Sequence, residues 1–140
     1  MELISNRELN KPSIYLISPT SVDYKTFPSL LESVLSSGLI SVFQLRVKKY
    51  SDMETIQIIE KLLPICINYK VIFILNDRAD IAKVTGVDGV HLGKEDIGIK
   101  TARNILGNNK IIGSSCYNSI KLSINSNFLG ADYNAFGSFF

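Results

Sequence analysis

The sequence predicts an α/β fold built on a parallel sheet, and three observations carry that reading. Six short apolar runs of strand length recur along the chain, stretches of helical periodicity separate them, and the connections between are short. A Gly, then Val or Ala, then Asp also recurs, at Gly86-Val87-Asp88 and Gly130-Ala131-Asp132, marking two equivalent helix-to-strand turns. Right-handed crossovers between such units leave two architectures, an open doubly wound sheet or a barrel.

The first strand is residues 14–17, apolar and closed by Ser18-Pro19-Thr20, and a helix over 28–37 follows. The second strand, 40–45, leads to the clearest helix, 51–68. There Ser51 and Glu54 form a capping box and Met53, Ile56, Ile59 and Leu63 keep a 3.6 period. Pro64 is expected to kink this helix or end it early, because it lacks an N–H and its ring crowds the preceding turn. Strand 71–75 and helix 78–84 come next, then strand 89–92 and helix 99–106, which Gly107 stops by taking the left-handed conformation without steric penalty. Strand 110–113, helix 119–127 and strand 132–136 complete the alternation.

The 140 residues, 46% apolar, form one domain over residues 1–140 that can bury a core, but they are few for a closed α/β barrel, which takes about 250. A formal charge of only +2, with lysines scattered rather than blocked, offers no footprint for nucleic acid or an anionic membrane. A small-molecule partner is expected instead. Cys66 and Cys116 lie far apart with no C-x-x-C spacing, and the polar start, residues 1–13, lacks the apolar core of a signal peptide. No apolar run approaches the roughly 20 residues that span a bilayer. The expectation is a soluble cytoplasmic protein with two reduced, buried thiols.

Chemistry gathers in four places. Phe43-Gln44-Leu45-Arg46-Val47-Lys48 alternates with period 2, so Gln44, Arg46 and Lys48 share one face. That face is either the solvated side of an antiparallel strand or the lining of a ligand crevice, and the intervening helices favour the crevice. The fork of Arg46 and the point charge of Lys48 suit phosphate oxygens. Asn76-Asp77 ends the third strand, where α/β folds bind ligands, although either residue could cap the following helix. Asp96 follows the fourth strand and has the same two readings. Two such carboxylates on successive strands favour a hard-cation site over two separate caps, since Mg²⁺ commonly takes one or two carboxylates plus phosphate oxygens, with Glu95 as a rival ligand. His91, the sole histidine, lies within a strand, which points to packing with a hydrogen-bonded ring rather than to a general base. Gly113-Ser114-Ser115-Cys116 reads as a turn of small residues fit to contact a ligand. Zinc spacing, a P-loop and a dinucleotide glycine fingerprint are all missing from the sequence.

Taken in order, Gln44-x-Arg46-x-Lys48, Asn76-Asp77, Asp88-Gly89-Val90-His91-Leu92-Gly93-x-Glu95-Asp96, Ile112-Gly113-x-Ser115 and Gly130-Ala131-Asp132-Tyr133-x-x-x-Gly137 make the chain resemble the thiamine phosphate synthase/TenI family over nearly its whole length. The resemblance implies a (β/α)₈ TIM barrel, of which this chain holds the first six strands and lacks the last two βα units. It implies a transferase of thiamine biosynthesis that joins a hydroxymethylpyrimidine pyrophosphate to a thiazole phosphate, releasing pyrophosphate with Mg²⁺ present. By motif, Gln44, Arg46 and Lys48 are the pyrophosphate and pyrimidine contacts, Asn76 a further substrate contact, Asp77 and Asp96 the Mg²⁺ ligands, and Ser115 the substrate-binding, catalytic serine near the reacting centre.

Two departures accompany the resemblance: Tyr117 stands where the family commonly has histidine, and Lys94 where glutamine is usual. The chain stops at Phe140, where the family continues into a threonine- and lysine-bearing loop. The first and sixth strands are therefore expected as open edges beside Phe136, Phe139 and Phe140, inviting self-association. A TenI-like protein that binds or isomerises a thiazole phosphate, and a non-catalytic remnant, are the alternative readings.

Overall fold

The computed structural model describes residues 13–138. It contains β1 (Ile14–Ile17), α1 (Phe27–Leu35), β2 (Ile40–Leu45), α2 (Asp52–Asn68), β3 (Ile72–Asn76), α3 (Ala79–Thr85), β4 (Gly89–Leu92), α4 (Ile99–Leu106), β5 (Ile111–Tyr117), α5 (Ile120–Phe128) and β6 (Tyr133–Phe136). All strand pairs are parallel and the sheet order is β1-β2-β3-β4-β5-β6. A doubly wound sheet reverses its order at a switch point. This one never reverses, so it is a partial (β/α) barrel wall with β1 and β6 as its edges.

The wall curls. In a flat sheet, β1 and β6 would lie about 24 Å apart, five spacings of about 4.8 Å. The hydroxyls of Tyr15 on β1 and Tyr133 on β6 nevertheless meet at 2.6 Å, with ring centroids 5.8 Å apart. On the convex side the helices bury Phe43, Leu45, Phe73, Leu75, Val90, Leu92 and Ile112 against Leu31, Leu35, Ile59, Leu62, Ile81 and Ala102. Phe43 and Phe73 pack edge to face at 5.3 Å in this layer. The alternate residues of the same strands, Gln44, His91, Ser115 and Tyr133, face the hollow on the other side.

Three expectations on element ends are corrected. Pro64 does not end α2, which runs on to Asn68. The carbonyl its missing N–H leaves free, on Glu60, lies on an exposed face where water can satisfy it. Gly113 to Cys116 is not a turn, because β5 extends to Tyr117. Those small residues stay extended because both neighbouring strands pair with them, Gly113 with His91 and Tyr133, and Ser115 with Ala135. Gly107 stops α4 at φ 78° but ψ −173°, a positive-φ region outside the left-handed helical basin that is essentially glycine's alone. The capping box on α2 forms as expected, with Glu54 N donating to Ser51 Oγ at 3.2 Å and Ser51 N donating to Glu54 Oε2 at 2.7 Å. Phe139 and Phe140 lie outside the described residues.

The two Gly-x-Asp turns are equivalent atom by atom. Asp88 N donates to Phe73 O at 2.9 Å while Phe73 N donates to Asp88 Oδ2 at 2.7 Å. Asp132 N donates to Ile112 O at 2.7 Å while Ile112 N donates to Asp132 Oδ2 at 2.8 Å. Each aspartate therefore clamps the start of its strand to the start of an earlier one, at the end of the wall opposite the hollow's polar mouth. Loss of either carboxylate leaves a backbone N–H without its acceptor, which costs about 1–3 kcal/mol. Asp88→Ala is expected to lower the urea unfolding free energy by about that amount with the m-value unchanged. Asp80→Ala, which removes a solvent-exposed pair with Arg78 and a first-turn carboxylate at the start of α3, is expected to cost about 1 kcal/mol or less.

Candidate functional site

The hollow opens at the C-terminal ends of the strands as a cavity of about 670 Å³. Gln44, Arg46, Lys48, Asn76, Asp77, Asp96 and Ser115 all line it, together with His91, Glu95 and Lys94. Every residue singled out by the sequence for substrate or metal thus lies on this one surface. A groove of about 770 Å³ on the outside, between α2 and α3, is lined by Ile56, Leu63, Ile67 and Val84, with Glu60 its one charged residue. It offers no comparable set of groups for chemistry.

Arg46 and Lys48 lie just past β2, yet their alternation continues because the loop after β1 holds that segment extended. Ser18 N donates to Gln44 O, Arg46 N to Ser18 Oγ and Lys48 N to Thr20 O, each at 2.9 Å. Val47, between them, packs on the core and leaves both cations on the cavity side.

Asp77 follows the last residue of β3 with φ 70°, a left-handed conformation that aspartate tolerates better than most residues. Its N–H donates to His91 O at 2.9 Å, which ties the β3 end to β4. It does not cap α3, whose N-cap is Arg78 without a side-chain cap bond. Nor does Asp96 cap α4, whose N-cap is Gly98. The Asp96 carboxylate instead accepts a short hydrogen bond from Gly93 N, closing the loop after β4 around itself. The Asp77 carboxyl is pushed up to about 7, first by burial and then by its hydrogen bond with Asp96 and that group's charge, while Lys48 and Arg46 pull it back down. Asp77 is thereby shifted toward its protonated form beside Asp96. Among the described residues no group of three or more His, Cys, Asp and Glu assembles as a metal cage.

His91 is buried with both ring nitrogens engaged, Nδ1 with Tyr133 OH at 2.9 Å and Nε2 with Ser115 Oγ at 2.8 Å. Burial pushes its pKa down, against a smaller upward pull from Asp96, so the ring is neutral. The packed, hydrogen-bonded role expected of it is the one observed. The departures at Lys94 and Tyr117 touch one another: Lys94 N donates to Tyr117 OH at 3.3 Å. Both cysteines are free and buried, and burial pushes the Cys66 thiol up to about 12.

Sequence reading missed Tyr15 and Tyr133 as site residues. Each is the only aromatic hydroxyl in its strand, and the place of Tyr15 in the period-2 pattern puts it on the Gln44 side. The reason the ring of Tyr133 fits was not readable: a Cβ at Gly113 would lie 2.0 Å from Tyr133 Cζ. The glycine is a gap made for the tyrosine.

Comparison with known proteins bears on the family and the fold. A profile of the family described as thiamine monophosphate synthase matches residues 14–140. The thiamine-phosphate synthase of Pelagibacter ubique is 44% identical over 137 residues, covering 98% of this chain and 66% of that protein. The one from Rhodospirillum centenum is 40% identical, covering 91% of this chain and 61% of that protein. The solved structure of a thiamine phosphate pyrophosphorylase from Pyrococcus furiosus superposes with a TM-score of 0.78 at 32% identity, over 91% of this chain and 61% of that one. The chain therefore spans a little under two thirds of the length of these relatives. With the family profile matched from β1 onward and relatives well above 30% identity across nearly all of it, the chain belongs to the thiamine monophosphate synthase family.

Proposed function

We propose that this chain carries the pyrophosphate-binding half of a thiamine phosphate synthase, which joins a hydroxymethylpyrimidine pyrophosphate to a thiazole phosphate and releases pyrophosphate. The carrying observation is the convergence of Arg46 and Lys48 with the two carboxylates Asp77 and Asp96 on one cavity at the strand C-termini. Basic side chains beside paired carboxylates fit a diphosphate carried with a hard cation better than they fit either alone.

The donor set suits Mg²⁺. Its groups are oxygens, and one or two protein carboxylates completed by phosphate oxygens and water are what that ion usually accepts. Asp77 and Asp96 would hold it. Bound there, Mg²⁺ would neutralise charge on the departing pyrophosphate. Arg46 and Lys48 would bind the same oxygens and stabilise that charge as the bond to the pyrimidine methylene breaks. Gln44, Asn76 and Ser115 would orient the pyrimidine ring. The attacking thiazole nitrogen already bears a lone pair, so the step needs no base, in keeping with a neutral, doubly hydrogen-bonded His91.

Small molecules are the partners this cavity suits. No helix of the described residues is long and apolar enough to cross a membrane, and a cytoplasmic location fits the reading. Exposed Ile14 and Ile17 on β1 and Phe136 on β6 support self-association through the open edges.

Calorimetry with inorganic pyrophosphate and Mg²⁺ tests the reading directly. Binding is expected to require both ions. Arg46→Ala should weaken it by about tenfold or more, the worth of a charge-assisted hydrogen bond. Asp77→Ala should remove the Mg²⁺ dependence, and retention of metal-dependent binding by that variant would overturn the assignment. With both substrates added, the wild-type chain is expected to release pyrophosphate above background.

The raised Asp77 carboxyl has its own signature in the metal-free protein. The folded-state pKa of Asp77 is raised above its unfolded value, so the group favours folding fully at low pH and loses that contribution as pH rises through about 7. Asp77→Asn removes the titration. Its melting temperature should exceed the wild type's by a margin that grows between about pH 5 and about pH 8, reaching roughly a few °C. Parallel melting curves across that range would show that the Asp77 carboxyl is not raised in the folded chain.

A further inference from the structure

Five side chains from five strands form one unbroken hydrogen-bonded chain across the cavity floor. Gln44 Nε2 lies 2.8 Å from Tyr15 OH, Tyr15 OH 2.6 Å from Tyr133 OH, Tyr133 OH 2.9 Å from His91 Nδ1, and His91 Nε2 2.8 Å from Ser115 Oγ. The strands are β2, β1, β6, β4 and β5 in that order. No described side-chain polar atom that is fully buried lacks a partner.

A chain of single-proton groups has a direction, and the carboxamide nitrogen sets it, since that atom only donates. Tyr15 accepts from Gln44, and the acceptor within reach of its own proton is Tyr133 at 2.6 Å, a contact in which either hydroxyl could donate. Tyr133 in turn has one proton left, and its remaining neighbour is His91 Nδ1. A neutral imidazole that accepts at Nδ1 carries its proton on Nε2, where it points at Ser115 Oγ. Burial pushes both phenol pKa values up, so the tyrosines keep these protons.

We infer that this relay fixes Ser115 as a hydrogen-bond donor toward the ligand, with Tyr133 the positioning residue that sets the His91 tautomer. Ser115 Oγ accepts from His91, and its own proton is turned to the cavity. The arrangement is the reverse of a serine nucleophile activated by histidine, because His91 Nε2 already carries a proton and cannot take the serine's. The ligand atom that takes the Ser115 proton is then an acceptor, such as an aromatic ring nitrogen or an ester oxygen. The inference rests on the proposed function only for what occupies the cavity.

Because His91 is the sole histidine, long-range ¹H–¹⁵N correlation spectra of the ligand-free, ¹⁵N-labelled chain report its tautomer without ambiguity. The expected spectrum is a single tautomer, protonated at Nε2 with a pyridine-like Nδ1. Tyr133→Phe, which keeps the ring and removes the donor, should lose that purity and show both nitrogens at exchange-averaged positions. Tyr15→Phe cuts Tyr133 off from the Gln44 donor that sets the direction, and should likewise admit the Nδ1–H form. A wild-type ring protonated at Nδ1, or a folded Tyr133→Phe chain with an unchanged spectrum, would overturn the inference. Should Tyr133→Phe fail to fold, the wild-type tautomer alone decides. The measurement needs no ligand, so its outcome is separable from that of the pyrophosphate calorimetry.

Discussion

Curvature of the parallel sheet is the constraint on which the rest of the structure depends. A strand covered by helices on one side and rolled inward on the other leaves little water at the cavity floor, so the buried polar side chains there pair with one another across the hollow. Tyr15 and Tyr133, on the two edge strands, do so only because the wall bends enough to bring them together. Gly113 permits it by leaving the ring of Tyr133 a place on β5. The aspartate clamps at Asp88 and Asp132 fix the strand starts at the opposite end, so the polar residues emerge in register at the mouth.

The mouth gathers charge that a flat sheet would spread apart. Arg46 and Lys48 come from the end of β2, Asp77 from the end of β3 and Asp96 from the loop after β4. Burial and proximity raise the Asp77 carboxyl, and the two cations oppose that rise without cancelling it. A site in this state binds a proton in the absence of a better cation. It also keeps its basic side chains out of close ion pairs, since neither Arg46 nor Lys48 forms one among the described residues. Such cations remain available to an anionic ligand.

Much of this was legible in the sequence because it rests on local rules. Period-2 alternation placed Gln44, Arg46 and Lys48 on one face, and the capping box located the start of α2. The repeated Gly-x-Asp identified two equivalent turns, although not the reciprocal bonds they make. What was not legible is what depends on partners distant in the chain. Gly113 to Cys116 has turn-like composition, and only pairing on both sides keeps it extended. Pro64 has the signature of a helix end, overridden because the unmade bond faces water. Tyr15 and Tyr133 are 118 positions apart, and no local pattern announces their contact.

The direction of the buried relay also bears on why His91 can sit so near the reacting region without acting as a base. On the proposed chemistry, positive charge develops at the pyrimidine methylene as pyrophosphate leaves, and an imidazolium nearby would oppose it. Burial disfavours the charged ring, and the proton from Tyr133 occupies the nitrogen at which a second proton would enter. The same bond that selects the tautomer thus helps keep the ring neutral. It leaves Ser115 to meet the substrate with a fixed dipole rather than a mobile proton, and a fixed dipole needs no reorganisation as charge develops.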